Sequence, residues 1–464
     1  MLLGKYNHHK YVNGLLLPLI ILVTYALPAA SEMMKHKHIS SMKYSEESAA
    51  CDPAQVAPSL ACAKAPSAEF DNEGQLWVIW SFGQHLYLSS SSDKGINFST
   101  SVRVNLTPEN IAARGENRPK IALDQQGNIY ISWTRSLSKP YTGDIRFSHS
   151  RDGGKHFSAP ITINDNRDII THRFDSMSVT ETGRVYLAWL DKRDKVKAEE
   201  QGDNYSGAAL YYTYADIYTS PHADTYAYNG NIEFQPNMKI ADNTCECCRL
   251  AMVLDRNALP IIMWRDIYED NIRDHSLVRF INENKAAPST RVSHDQWQIN
   301  ACPHHGPALS INTDNVIHAT WFNDVAEDES TVVDNVAPHT LNNHIPGKHT
   351  LFYARSTNDG ATFSEPVGFG NYGHAASHPY VIALEQKVFL VWKEFDGKET
   401  HIQQMRSDDG GVSWSHSTSI AVTTGQSDHP LLIRDQSQAY LSWQTSEEGY
   451  RLIALKNNAL DTFQ

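Results

Sequence analysis

Two short stretches of this 464-residue chain concentrate side chains able to hold a metal. ADNTCECCRLA places Cys245, Cys247 and Cys248 just ahead of Arg249, and NACPHHGPAL brings Cys302, His304 and His305. Thiolates mixed with imidazoles suit copper(I) or zinc(II). If the first stretch is extended, side chains alternate, so Cys245 and Cys247 face one way and Cys248 the other, and two of the three share a centre. The spacing follows no standard zinc motif, nor is it the Cys-x-x-Cys-His of covalent haem attachment. The competing chemistry is disulfide formation, Cys51 with Cys62 and one of Cys247 or Cys248 with Cys302. Further soft ligands, Met33, Met34, His36, His38 and Met42, fit copper capture or an ordinary flexible leader.

The elements that must position these residues are legible in a repeat. Seven phrases end in Trp: PSAEFDNEGQLWVIW, PKIALDQQGNIYISW, DSMSVTETGRVYLAW, LAMVLDRNALPIIMW, PALSINTDNVIHATW, PYVIALEQKVFLVW and PLLIRDQSQAYLSW. Each reads as a short apolar strand, a turn and an alternating strand closed by Trp80, Trp133, Trp189, Trp264, Trp321, Trp392 or Trp443. Intervals between these Trp run from 51 residues (Trp392 to Trp443) to 75 (Trp189 to Trp264), room for two more strands per unit. That predicts an all-β chain, a β-propeller of four-stranded antiparallel blades filling residues 51–464, with seven blades rather than six. The last unit supplies only three strands, so residues 50–62 are expected to add its closing strand and cover the edge.

In such a blade the residues before the first strand and after each Trp share one face. They include Arg118, Arg173, Arg249, His305, His378 and His429, with Asp191, Arg265 and Asp266 following Trp. The chain carries 40 Lys and Arg against 53 Asp and Glu, net charge -13, which argues against a nucleic-acid partner. Its cations nevertheless gather at one central mouth, which would focus an anion. Arg forks hold carboxylates bidentately, so an anionic small molecule or glycan is the expected ligand unless these groups pair with neighbouring blades. The three His at matching positions could instead converge on a metal.

Four units also carry an eight-residue turn after the third strand: SSDKGINF from Ser91, SRDGGKHF from Ser150, STNDGATF from Ser356 and SDDGGVSW from Ser407. The pattern Ser-x-Asp/Asn-x-Gly-x-x-aromatic resembles the Asp box (BNR repeat) of the sialidase, or neuraminidase, superfamily. The resemblance implies structural turns opposite the ligand face, and an exo-α-sialidase type of glycoside hydrolase. It would take three Arg for the sugar carboxylate, from Arg118, Arg173, Arg249 and Arg265. It would use Tyr268 with Glu269 as the nucleophile pair, Tyr211 and Tyr212 being alternatives, and Asp191 or Asp266 as general acid. Where that family opens with Arg-Ile-Pro, this chain has Lys64-Ala65-Pro66, and Lys is no bidentate clamp.

Residues 1–30 read as a secretory signal, with Lys5 and Lys10 before an apolar run and small residues Ala29 and Ala30. Residues 31–50 read as a leader. The chain is thus expected to be exported, periplasmic or secreted, without a membrane span after signal removal. Three functions compete: an anion-binding propeller acting on sialic-acid-like sugars, a non-enzymatic propeller binding copper or zinc through its Cys/His cluster, and a scaffold that docks another exported protein.

Overall fold

The computed structural model describes residues 51–216, except 55, together with 232–324 and 350–456. The signal-like segment and leader lie outside the described residues, and no described helix is long and apolar enough to cross a membrane.

Seven antiparallel sheets follow one another along the chain. Blade one comprises Lys64–Phe70, Leu76–Phe82, His85–Ser91 and Val102–Arg103; blade two, Lys120–Leu123, Ile129–Ser136, Gly143–Ser150 and Ile161–Thr162; blade three, His172–Val179, Arg184–Asp191, Ala208–Asp216 and Met238–Thr244. Blade four holds Ala251–Leu254, Pro260–Arg265 and His275–Asn282, the last pairing with both Lys285–Ala286 and Thr290–Arg291. Blade five comprises Ala308–Ile311, Ile317–Phe322, Leu351–Ser356 and Val367–Phe369; blade six, Ser377–Leu384, Lys387–Phe395, Thr400–Ser407 and Thr418–Thr423; blade seven, Leu431–Arg434, Ala439–Thr445 and Gly449–Ala454. The first strand of each blade lies beside that of the next, and the seventh beside the first, so the sheets close into a ring. The seven-bladed propeller read from the repeat is the fold.

All seven repeat Trp are buried, between 0 and 1% exposed, which explains their recurrence: each closes a second strand and fills the space between two sheets. A buried indole N–H needs an acceptor. Trp133 donates to Glu109 at 2.9 Å, Trp189 to Asp191 at 3.0 Å, Trp321 to Asp295 at 2.7 Å and Trp392 to Glu394 at 2.7 Å.

The four Asp-box turns share one hydrogen-bond plan. In the second, Gly154 N donates to Ser150 Oγ at 3.0 Å, Ser150 Oγ to Asp152 Oδ1 at 2.8 Å, and His156 N to the same Oδ1 at 3.0 Å. The same three bonds recur at Ser91, Ser356 and Ser407. The closing aromatic packs on the preceding blade, Phe98 on Tyr450 at 5.9 Å and Trp414 on Tyr353 at 4.8 Å.

One expectation fails. Residues 50–62 supply no closing strand among the described residues; Leu60–Cys62 forms a 3-10 turn instead, capped by Ser59, and packs on Gly449–Ala454. Gly449 lies under Ala61 at left-handed φ 71°, a conformation that favours glycine. Among the described residues blade seven therefore has three strands, with a turn packed on the last of them.

Candidate functional site

The cationic mouth is built as the blade geometry requires, but a carboxylate that the sequence reading did not single out sits at its centre. Glu116 lies in the loop leading into blade two and is buried. Its Oε1 accepts from Arg249 Nη1 at 2.6 Å, while Oε2 accepts from the backbone N–H of Arg249 at 3.0 Å and of Gly306 at 2.7 Å. His429 Nδ1 and His378 Nδ1 stand 3.4 and 3.7 Å from Oε1. Burial alone would raise this carboxyl, yet Arg249 and the two imidazoles hold it well below the usual range. The imidazoles form a stack: His378 lies 4.2 Å from His305 and 3.5 Å from His429, with His305 on Phe322 at 4.1 Å. Burial keeps all three neutral, His429 pushed down to about 3. Gly306 is required here, because a Cβ would fall 2.3 Å from the Arg249 side chain and 2.4 Å from its carbonyl oxygen.

The other predicted cations divide. Arg118 pairs with Asp428 at 2.8 Å and donates to the carbonyls of Pro66 and Gly115, both at 3.0 Å. Arg265, only 1% exposed, donates to the carbonyls of Arg273 and His305 at 2.8 and 2.9 Å, and also to Asn323 and Phe322. Arg173 differs. It stands over Phe174 at 4.9 Å with neither acid nor carbonyl partner among the described residues. Behind the cluster a cavity of about 500 Å³ follows the axis between the inner strands of all seven blades, lined by Ser67, Glu69, Lys120, Ser176 and Met252 among others.

Of the residues implied by the sialidase resemblance, Asp191 is fully buried and taken up by Trp189 and Arg193, at 3.0 and 2.8 Å. Asp266 and Tyr268 are joined through Ser276, whose Oγ stands 2.6 Å from the Tyr268 hydroxyl and donates to Asp266 at 2.7 Å. Burial pushes the Asp266 carboxyl up to about 6 and also raises the Tyr268 phenol. Glu269 is exposed in a 3-10 turn, so the hydroxyl partner of Tyr268 is Ser276. Tyr211 is bonded to Asp194 at 2.8 Å, and Tyr212 is buried.

The cysteine loop departs from the extended expectation and gains by it. Residues 246–248 turn, bringing all three thiols together: Cys245 Sγ lies 3.7 Å from both Cys247 Sγ and Cys248 Sγ. The three sulfurs lie within 4.8 Å of one another and are all buried. Cys302 approaches from the loop before blade five, and it forms a second such group with Cys247 and His304. His305 is not part of either; one residue on, it points to the axial stack. None of Cys245, Cys247, Cys248 and Cys302 is in a disulfide, contrary to the expected Cys302 pairing, whereas Cys51 and Cys62 are disulfide-bonded. The cluster sits among cations. Arg273 donates to Cys245 Sγ at 3.4 Å, and Lys192 pairs with Glu246 at 2.6 Å. Hydrogen bonds from Cys247 and Cys248, helped by Arg265 and Arg273, hold the Cys245 thiol well below its usual range. Arg273 and Glu116 escaped the sequence reading; the signal for Glu116 was an acid two residues ahead of Arg118 in a cation-rich set.

No protein family model matches the sequence, and no curated protein matches it. Solved structures with a similar course include an ulvan lyase bound to a glucuronic acid and sulfated rhamnose disaccharide, at 9% identity and TM-score 0.49 over 84% of this chain and 94% of that one. A Hadza microbial sialidase follows at 13% and 0.44 over 81% and 74%, and an Aleuria aurantia lectin with α-methyl-L-fucoside at 11% and 0.39 over 78% and 95%. These are what the chain is similar to in its course, and none of them assigns it to a family.

Proposed function

We propose that the chain is an exported, non-enzymatic propeller that binds a soft metal ion, copper(I) or zinc(II), through its cysteine cluster. The observation that carries this reading is the packing of Cys245, Cys247 and Cys248, with two sulfur–sulfur edges of 3.7 Å and no disulfide among them. A disulfide has sulfurs about 2.05 Å apart. Sulfurs each about 2.3 Å from one tetrahedral ion stand about 3.8 Å apart. Three buried thiols on one turn, beside the Arg273 guanidinium, are chemically a receptor for a cation that displaces their protons. In an oxidising compartment such neighbours persist as thiols when a metal holds them. Three sulfurs without a fourth ligand in the same group among the described residues favour copper(I), which accepts three thiolates readily, over zinc(II).

The test is elemental analysis with free-thiol counting on mature protein purified without chelator. The expected result is bound metal with reduced cysteines, both lost in Cys247→Ser with Cys248→Ser; absent metal with Cys245, Cys247, Cys248 and Cys302 oxidised would overturn it.

A second reading concerns an acidic sugar or another small anion, and Arg173, a mouth cation without an acid partner among the described residues, favours it. Arg118, Arg249 and Arg265 are committed to internal partners, so this reading predicts binding rather than sialoside hydrolysis. Calorimetry with N-acetylneuraminate, comparing the protein with Arg173→Ala, decides it: equal heats in both would end the idea.

A further inference from the structure

Three candidate ligand groups lie on this face among the described residues, one of them Glu116 with His378 and His429 at the axis; the other two share one sulfur. Cys245, Cys247 and Cys248 form the first, with all three residues buried; Cys247, Cys302 and His304 form the second, whose other two members are exposed. We propose that the site holds two soft metal ions bridged by the Cys247 thiolate, one enclosed and one open to solvent; this rests on the soft-metal reading above.

Three observations support the division. The enclosed group offers three sulfurs and lies against Arg273, whose donation to Cys245 Sγ suits a cluster carrying net negative charge once three thiolates surround one ion. The open group is completed by an imidazole set as a ligand. His304 Nδ1 stands 3.1 Å from the Cys247 carbonyl oxygen, so Nδ1 is the donor, and in the neutral ring Nε2 keeps its lone pair. Such a bond to a carbonyl is the usual partner of a metal-bound His. His304 is also held at φ 55°, a left-handed conformation unfavourable for a residue with a Cβ, and strain of this kind gathers at functional positions. A thiolate sulfur has lone pairs for two ions. With about 2.3 Å from each ion to Cys247 Sγ, the two would lie within about 4.6 Å.

The two positions differ in access, and so in role. An ion among three buried sulfurs has no face toward water, whereas one held by exposed Cys302 and His304 keeps an open coordination position. The outer position is therefore where an ion arrives or departs, and the bridging sulfur is the path inward. Each thiol releases its proton to solvent as it binds, and no electron is exchanged when the ion supplied is already copper(I) or cadmium(II).

The experiment is anaerobic titration of the metal-free full-length mature protein with copper(I), and separately with cadmium(II), read by native mass spectrometry and cadmium NMR. The expected result is two ions per chain and two cadmium signals, falling to one of each in Cys302→Ser with His304→Ala. These residues are exposed, so the fold should survive, which thermal unfolding checks. One ion at saturation in the unaltered protein, or two that survive the double substitution, overturns the bridged pair while leaving the soft-metal reading intact. No ion at all overturns that reading first.

Discussion

The axial cluster and the cysteine cluster lie on the same face and were both candidates for a site, but their polar groups are satisfied in opposite ways. At the axis Glu116 meets Arg249, two backbone amides and two imidazoles, while Arg118 has Asp428. The Glu116 carboxylate is closed by Arg249 and the two amides and fastens the blades, although Nδ1 of His305, His378 and His429 is buried without a hydrogen-bond partner among the described residues and Glu116, His378 and His429 also form a candidate ligand group. At the cysteine cluster the hydrogen-bond partners of the sulfurs among the described residues are one another and Arg273, and none of Cys245, Cys247, Cys248 and Cys302 is in a disulfide. A concentration of cations in sequence is therefore weaker evidence for a ligand than a convergence of groups whose natural partner is missing.

The sharpest way to break this contrast is at Glu116. Glu116→Ala leaves Arg249 and two amides buried without their acceptor, a loss expected to cost about 3–5 kcal/mol in stability. Denaturant unfolding measures it, and metal stoichiometry should be unchanged in the fraction that folds. If the axis were a ligand site instead, stability would hold or rise.

A smaller effect is expected from Arg273→Ala, which removes the donor to Cys245 while leaving every sulfur in place. Metal affinity should fall about 10–100-fold, as for other partners just outside a metal's ligands. Competition with a chromophoric chelator reads the change, and an unchanged affinity would separate Arg273 from the metal.

The smallest effect is a slope. His429 is neutral in the fold, with its imidazole pushed down to about 3, whereas in the unfolded chain it titrates near 6.5. Between these values the unfolded state binds more protons, so stability is fully present above about pH 6.5 and declines as pH falls. Each such histidine contributes about 1.4 kcal/mol per pH unit. His429→Gln should flatten the stability profile by about that amount between pH 6 and 5, read as the difference between the two proteins because Asp266, pushed up to about 6, titrates in the same window in both.

The blades were legible because their signal is periodic. Seven Trp at the end of alternating strands, and four turns with one hydrogen-bond plan, demand the same environment seven and four times, so each copy corroborates the rest. The closing of blade seven was not legible, because a 3-10 turn at Leu60–Cys62 packing beside Gly449 leaves no alternation to read. At the site, residue types and face were readable but grouping was not. The alternation rule separated Cys248 from Cys245, and a turn over three residues reversed it. His304 and His305, adjacent in sequence, serve different clusters. Glu116 was hidden because its partners lie in other blades, and no local pattern marks an acid that reaches across a ring.

That reach also governs how the protein folds. Glu116 bonds to residues 133 and 190 positions later, and Arg118 to one 310 positions later. Single blades consist of local hairpins, which form fast, whereas contacts of this separation wait for most of the chain to be ordered. Glu116 and Arg118 therefore remain exposed and charged through most of assembly, and are covered only as blade seven docks on blade one. Ring closure is expected to be the slow step, and the bond from Gly306 N to Glu116 ties to it the loop before blade five that carries Cys302 and His304.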